Sequence, residues 1–174
     1  VSAVLDKTKT RELDRRHVVH SWSVQANLDP MVVEKASGMY FTDGEGNSYL
    51  DFSSSLVNMN LGHQHPAVVK AIQDQAARQC YIHPGIACSA RSELGATLAA
   101  HTPGDLNRFF FTLGGADANE NALKMARAYT GKFKVLTQYR SYHGATYGAI
   151  SMSGDGRRLA VEPGIPGVVE FLDP

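Results

Sequence analysis

The feature that most constrains this chain is the switch in period between residues 108 and 137. Arg108 to Leu113 is a short aromatic run of strand composition, Gly114 and Gly115 interrupt it, and Ala118, Ala122, Met125, Ala126 and Tyr129 then recur at helical spacing up to Gly131. Phe133 to Thr137 is again strand-like. A strand, a helix and a second strand within about 30 residues form a β-α-β unit, which implies parallel strands and a right-handed crossover. The chain therefore reads as α/β, a mostly parallel sheet with helices on its faces. Where the first strand meets the helix, Gly115 and Ala116 carry no bulk to keep an anion away, and the helix start offers unpaired amides and a positive dipole end. The same glycine pair also fits a tight turn with no ligand. It is neither a Gly-Lys-Ser/Thr phosphate loop nor a complete Gly-x-Gly-x-x-Gly.

The flanking segments read more simply. Met39 to Thr42 and Ser48 to Phe52 have strand composition around the turn-forming run Asp43-Gly44-Glu45-Gly46-Asn47, so residues 39 to 52 are predicted to form a hairpin. Pro66 opens a helix carrying Val68, Ile72 and Ala76 on one face and ending near Gln79. Another helix is expected from Ser89, taken as its cap, to about Ala100. Val168 to Leu172 is the last expected strand.

Seventeen basic residues balance seventeen acidic ones, which argues against a nucleic-acid or anionic-membrane partner. The apolar runs, such as Phe109 to Phe111, fall far short of the roughly 20 residues that cross a bilayer. The charged residues 6 to 16 contain no apolar signal region, so a cytoplasmic location is the expectation. Cys80 and Cys88 lack metal-site spacing and read as reduced thiols, and no metal is expected. His63 and His65 flank a turn before Pro66 and read as helix-start and interdomain contacts. His17 and His20 read as a solvated helix face, and Lys124 as an exposed helical lysine.

A second motif, Ser141-Tyr142-His143-Gly144-Ala145-Thr146, begins just after the second strand, near the same carboxyl edge of the sheet as Gly115. An aromatic ring there can stack on a flat ligand, His143 can donate a hydrogen bond, and Gly144 allows close approach. Taken alone, it is also an ordinary loop. Taken with Tyr40, Asp43-Gly44, Gly46-Asn47, Tyr49-Leu50-Asp51, Gly62-His63-Gln64-His65-Pro66 and Gly114 to Lys124, it resembles the N-terminal signature of the class III (ω-amino-acid type) pyridoxal-phosphate aminotransferases.

The resemblance covers residues 17 to 152 and implies a fold-type I transferase. It makes residues 1 to 65 part of the small domain and residues 66 to 174 the start of the large cofactor-binding domain. It implies that the amides of Gly115 and Ala116 hold the phosphate of pyridoxal 5'-phosphate, that Tyr142 stacks on the pyridine ring, and that His143 lies beside it. Many members carry Ser or Thr where Ala116 stands, so one side-chain bond to phosphate is expected to be missing. Trp22, Leu56 and Val57 match substrate-pocket positions, and Ile82 to Ala87 matches a segment reaching a partner subunit's site in a homodimer.

The Schiff-base lysine, the aspartate for the pyridine nitrogen and the arginine for the substrate carboxylate are expected beyond Pro174, so residues 1 to 174 alone are expected to be inactive. The implied reaction carries an amino group from an ω-amino acid or amine to a 2-oxo acid such as pyruvate or 2-oxoglutarate. A mutase or racemase on the same scaffold is the related alternative, and a non-enzymatic assembly segment the unrelated one.

Overall fold

The computed structural model describes residues 6–171. The chain divides into two compact units, Val1–Ile86 and Ala87–Pro174.

The first unit opens with helix α1 (Lys7–His17), whose start is capped by the Asp6 carboxylate accepting from the Lys9 amide at 2.9 Å. Arg15, Arg16 and His17 occupy its last turn, where the helix dipole favours cations. Val18 is extended and ends the helix, so His20 does not share a helix face with His17. Instead His20 Nε2 bonds Asp14 Oδ1 at 2.7 Å.

Strands β1 (Val33–Ser37), β2 (Tyr40–Asp43) and β3 (Ser48–Leu50) form an antiparallel meander, with Phe41 opposite Tyr49 and their rings stacked 5.3 Å apart. The predicted hairpin is present, and β1 is an addition to it. Asp43 closes the turn, accepting from the amides of Glu45 and Asn47, the Asn47 side-chain amide and the Tyr49 hydroxyl at 2.8–3.0 Å. These donors, Asn47 foremost, hold its carboxyl at about 2.

Residues Ser54–Val57 (α2) make one left-handed turn. After it comes α3 (Pro66–Arg78), which begins and ends close to where Pro66 and Gln79 predicted.

In the second unit, α4 (Ser89–Ala99) has Cys88 rather than Ser89 at its cap position, without a side-chain bond. Helix α5 (Gly115–Thr130) ends at Gly131, whose φ of 65° is the left-handed conformation that glycine takes without a Cβ penalty. Strand β4 (Val135–Gln138) pairs in parallel with β5 (Val168–Phe171), and α6 (Tyr147–Ser151) lies between them in sequence.

The expected strand at Arg108 to Leu113 does not form. Phe110 and Leu113 are exposed there, and no described strand lies alongside to supply a hydrogen-bonded ladder, without which aromatic composition cannot make a strand. The β-α-β unit therefore runs from β4 to β5 rather than from residue 108 to 137. The core of this unit is small and centred on α6 and the residues after it: Ala149, Ile150, Met152 and the fully buried Ser153. Among the described residues, no helix is long and apolar enough to cross a membrane.

Candidate functional site

Helix α5 starts directly at the glycine pair. Gly114 is extended, with φ near −172°, and no side chain caps the helix, so the amides of its first turn face outward without a side-chain acceptor. The space in front of them is open: a Cβ built on Gly114 or Gly115 meets no atom within 4 Å. Asp117 in the first turn accepts from the Leu113 amide at 3.3 Å. Such a start, three amides and the positive end of a sixteen-residue helix, suits an anion.

The loop after β4 packs onto this helix start through contacts that local sequence patterns do not reveal. Gly144, at φ +130°, lies so close to α5 that a Cβ there would fall 2.4 Å from Ala116 Cβ and 2.7 Å from its Cα. One turn further along α5, the Asn119 side-chain amide donates to the His143 carbonyl at 2.7 Å. The Glu120 carboxylate accepts from the Thr146 hydroxyl at 2.7 Å and from the amides of Gly148 and Ala149 at 2.7 and 3.1 Å. Thr146 foremost, these donors pull the Glu120 carboxyl below its ordinary value. Glu120 thus acts at a distance as the N-terminal cap of α6, which fixes the end of the 139–146 loop.

A second set of bonds fixes His143 and Tyr142 from the other side. The His143 amide donates to the Ser153 hydroxyl at 2.9 Å, and His143 Nδ1 lies 3.1 Å from the Met152 carbonyl. A carbonyl only accepts, so Nδ1 carries a proton and, in the neutral ring, Nε2 is left as an acceptor. The segment from 153 to 157 is zipped to the loop by Gly154 N–H to Ser141 Oγ and Asp155 N–H to the Ser141 carbonyl, both at 3.1 Å. Asp155 grips Arg157 with both carboxylate oxygens, at 2.7 and 3.1 Å, and the guanidinium lies over the Tyr142 ring 4.2 Å from its centroid. Tyr142 remains 42% exposed with Arg157 over one face of its ring.

Of the residues singled out in the sequence, Ala116, His143 and Gly144 come together at the start of α5, with Gly115 beside Ala116 and Tyr142 on the same loop. Trp22, Leu56 and Val57 belong to the first unit. Trp22 lies in a turn after α1, and Leu56 and Val57 on the left-handed turn, all three well exposed. Pro84 and Gly85 form a turn in the Ile82 to Ala87 segment, where His83 Nδ1 accepts from the Gly85 amide. Lys124 is exposed, and both cysteines are free thiols. His63 is not a helix-start contact: its Nε2 lies 2.8 Å from Asp51 Oδ2. Asn119 and Glu120 are visible in the sequence only as members of the Gly114 to Lys124 motif, and Ser153, Asp155 and Arg157 show no role there, because the contacts that matter reach other segments.

A family model described as aminotransferase class-III matches residues 22–173. The chain is 35% identical to isoleucine 2-epimerase of Lentilactobacillus buchneri, over 98% of its own length and 38% of that protein's. It is 39% identical to acetylornithine aminotransferase of Bacillus amyloliquefaciens, over 72% of its own length and 54% of that protein's. Among solved structures it matches taurine:2-oxoglutarate aminotransferase from Bifidobacterium kashiwanohense, in complex with PLP and glutamate, with a TM-score of 0.94 and 43% identity, covering 99% of this chain and 39% of that one. The chain thus spans between about two fifths and half of the length of the proteins it matches.

Proposed function

Because the chain belongs to the class III aminotransferases, we propose that the intact protein transfers an amino group from an ω-amino acid or amine to a 2-oxo acid, pyruvate or 2-oxoglutarate, with pyridoxal 5'-phosphate as cofactor. The observation that carries the reading is the seating of the Tyr142-His143-Gly144 loop against the uncapped, glycine-opened start of α5. A taurine transaminase at 43% identity supports an ω-amino donor, taurine itself being one.

The residues present fit the cofactor. The amides of Gly115 and Ala116 bind its phosphate, since open space stands where side chains would otherwise crowd the anion. Ala116 supplies no hydroxyl, so phosphate binding rests on backbone donors and the helix dipole. Tyr142 would orient the pyridine ring by stacking on it with the face opposite Arg157. His143, its orientation set by Met152 and Ser153, would lie beside the ring. The bound cofactor supplies an electron sink for charge developing at the substrate's reacting carbon. Trp22, Leu56 and Val57 are assigned to the substrate pocket, with residues 1–65 belonging to the small domain and 66–174 to the large one. The intact protein is assigned as a homodimer.

The test uses the full-length protein. Incubated with pyridoxal phosphate, it should gain a visible absorption band and convert an ω-amino donor and a 2-oxo acid into the matching amino acid. Absence of both band and turnover removes the proposal. The epimerase among the relatives favours a second reading, racemisation of an amino acid on the same scaffold. Inversion of a stereocentre without formation of a new oxo acid would select it.

A further inference from the structure

The turn that carries Leu56 and Val57 has an unusual backbone. Ser54, Ser55, Leu56 and Val57 have φ of 50°, 49°, 61° and 63°, and none is glycine. L-residues avoid this region because Cβ crowds the following carbonyl oxygen, and a β-branched valine is worst placed there. Local bonds close the turn: Val57 N–H to the Ser53 carbonyl and the Asn58 and Met59 amides to the Ser54 carbonyl, all at 2.9 Å, with the Asn58 side-chain amide donating to the Ser55 and Leu56 carbonyls at 2.9 and 3.3 Å. All of these bonds stay within residues 53–59, so none of them ties the turn to the segments around it.

The Asp51 carboxylate supplies that tie. It accepts from the Ser55 amide at 3.0 Å and the Ser55 hydroxyl at 2.8 Å, with the Ser53 hydroxyl at 3.3 Å. Its remaining donor is His63 Nε2 at 2.8 Å. The Asp51 and His63 side chains are only 7% and 15% exposed, so water competes little for these bonds. His63 is itself anchored, exchanging backbone bonds of 2.7 and 3.0 Å with Gly38 at the β1–β2 turn. A path of direct contacts therefore runs from the sheet through His63 and Asp51 to Ser55. At its end stand Leu56 and Val57, 66% and 72% exposed, apolar side chains held outward by a backbone that would relax without the clasp.

We infer that Asp51 and His63 are positioning residues for substrate selection: together they hold the left-handed turn so that Leu56 and Val57 form a rigid apolar wall for the amino donor. This rests on the reading of Leu56 and Val57 as pocket residues. Neither Asp51 nor His63 touches the donor. Each sets how far the wall gives way to a bulky one.

The experiment measures kcat/KM of the full-length, cofactor-loaded protein for compact and bulky ω-amino donors. It compares wild type with Asp51→Asn, His63→Ala and His63→Gln, and with Leu56→Ala and Val57→Ala. Loss of one clasp bond should change the bulky-to-compact selectivity ratio by about tenfold in His63→Ala, the factor that one hydrogen bond is worth. The cofactor absorption band should keep its wild-type position. His63→Gln, whose amide can still donate to Asp51, should recover most of the ratio, which a merely structural histidine would not require. If Asp51→Asn and both His63 variants keep the wild-type ratio while Leu56→Ala or Val57→Ala shifts it, the positioning role is wrong and the pocket stands. If neither alanine variant at 56 and 57 shifts the ratio, the pocket assignment fails first and the inference falls with it.

Discussion

Replacing Gly144 with alanine tests whether the loop's close seating on α5 builds the site. The new Cβ would lie 2.4 Å from Ala116 Cβ, 2.7 Å from Ala116 Cα and 3.2 Å from the fully buried Ala149 Cβ. Two of these neighbours are fixed, one being helix backbone and the other core, so the loop itself must move. A non-glycine residue at φ +130° adds roughly 1–3 kcal/mol of backbone strain, and overpacking adds about 1–3 kcal/mol more. The expected loss is about 2–6 kcal/mol, read as a lower denaturant midpoint of the cofactor-free full-length protein, together with weaker cofactor binding. The matched control is Gly115→Ala. A Cβ there meets nothing within 4 Å and the residue is already helical, so stability should hold or rise by about 0.4–1 kcal/mol. Its cofactor affinity should nevertheless fall by about tenfold or more, as a methyl group intrudes on a backbone-only anion site. Wild-type midpoint and affinity in Gly144→Ala would refute the packing argument. Lost stability with intact affinity in Gly115→Ala would refute the open-cradle argument.

Glu120→Gln should destabilise the full-length protein by about 1–3 kcal/mol in urea unfolding, since the charge-assisted bonds to Thr146, Gly148 and Ala149 weaken together. Asp43 and Asp51 both have carboxyls held at about 2 against an ordinary 3.8, so each contributes stability above its ordinary value that is lost as pH falls toward 2. Circular dichroism melts between pH 5 and 2 should show the midpoint falling most steeply in that window, and Asp43→Asn should flatten the fall. Tyr142→Ala should weaken cofactor binding by about tenfold or more while Tyr142→Phe changes it little, as equilibrium dialysis would show, because the ring face and not the hydroxyl makes the stack.

Elements with an internal period and a terminal signal were readable from sequence. Pro66 opens α3 and Gly131 closes α5 where expected, and the Asp43 to Asn47 run marks the hairpin. Residues 108 to 113 misled because strand propensity describes a fit to a pleated neighbour, and no described strand stands beside them. Strand β1 escaped notice because Val33-Glu34-Lys35-Ala36-Ser37 has little β-character and owes its place to β2. At the site, Gly115, Tyr142 and His143 carried visible chemistry. Glu120 did not, since its work is done on residues 26 to 29 positions away. The left-handed turn at Ser54 has no glycine to announce it, and the carboxylate and imidazole that hold it lie twelve residues apart.

The Asp155-held guanidinium occupies one face of the Tyr142 ring. A planar molecule resting on the opposite side of that phenol would have one of its own faces covered by the ring. The side of the phenol left for such a molecule is thus chosen by an arginine that a neighbouring carboxylate pins in place.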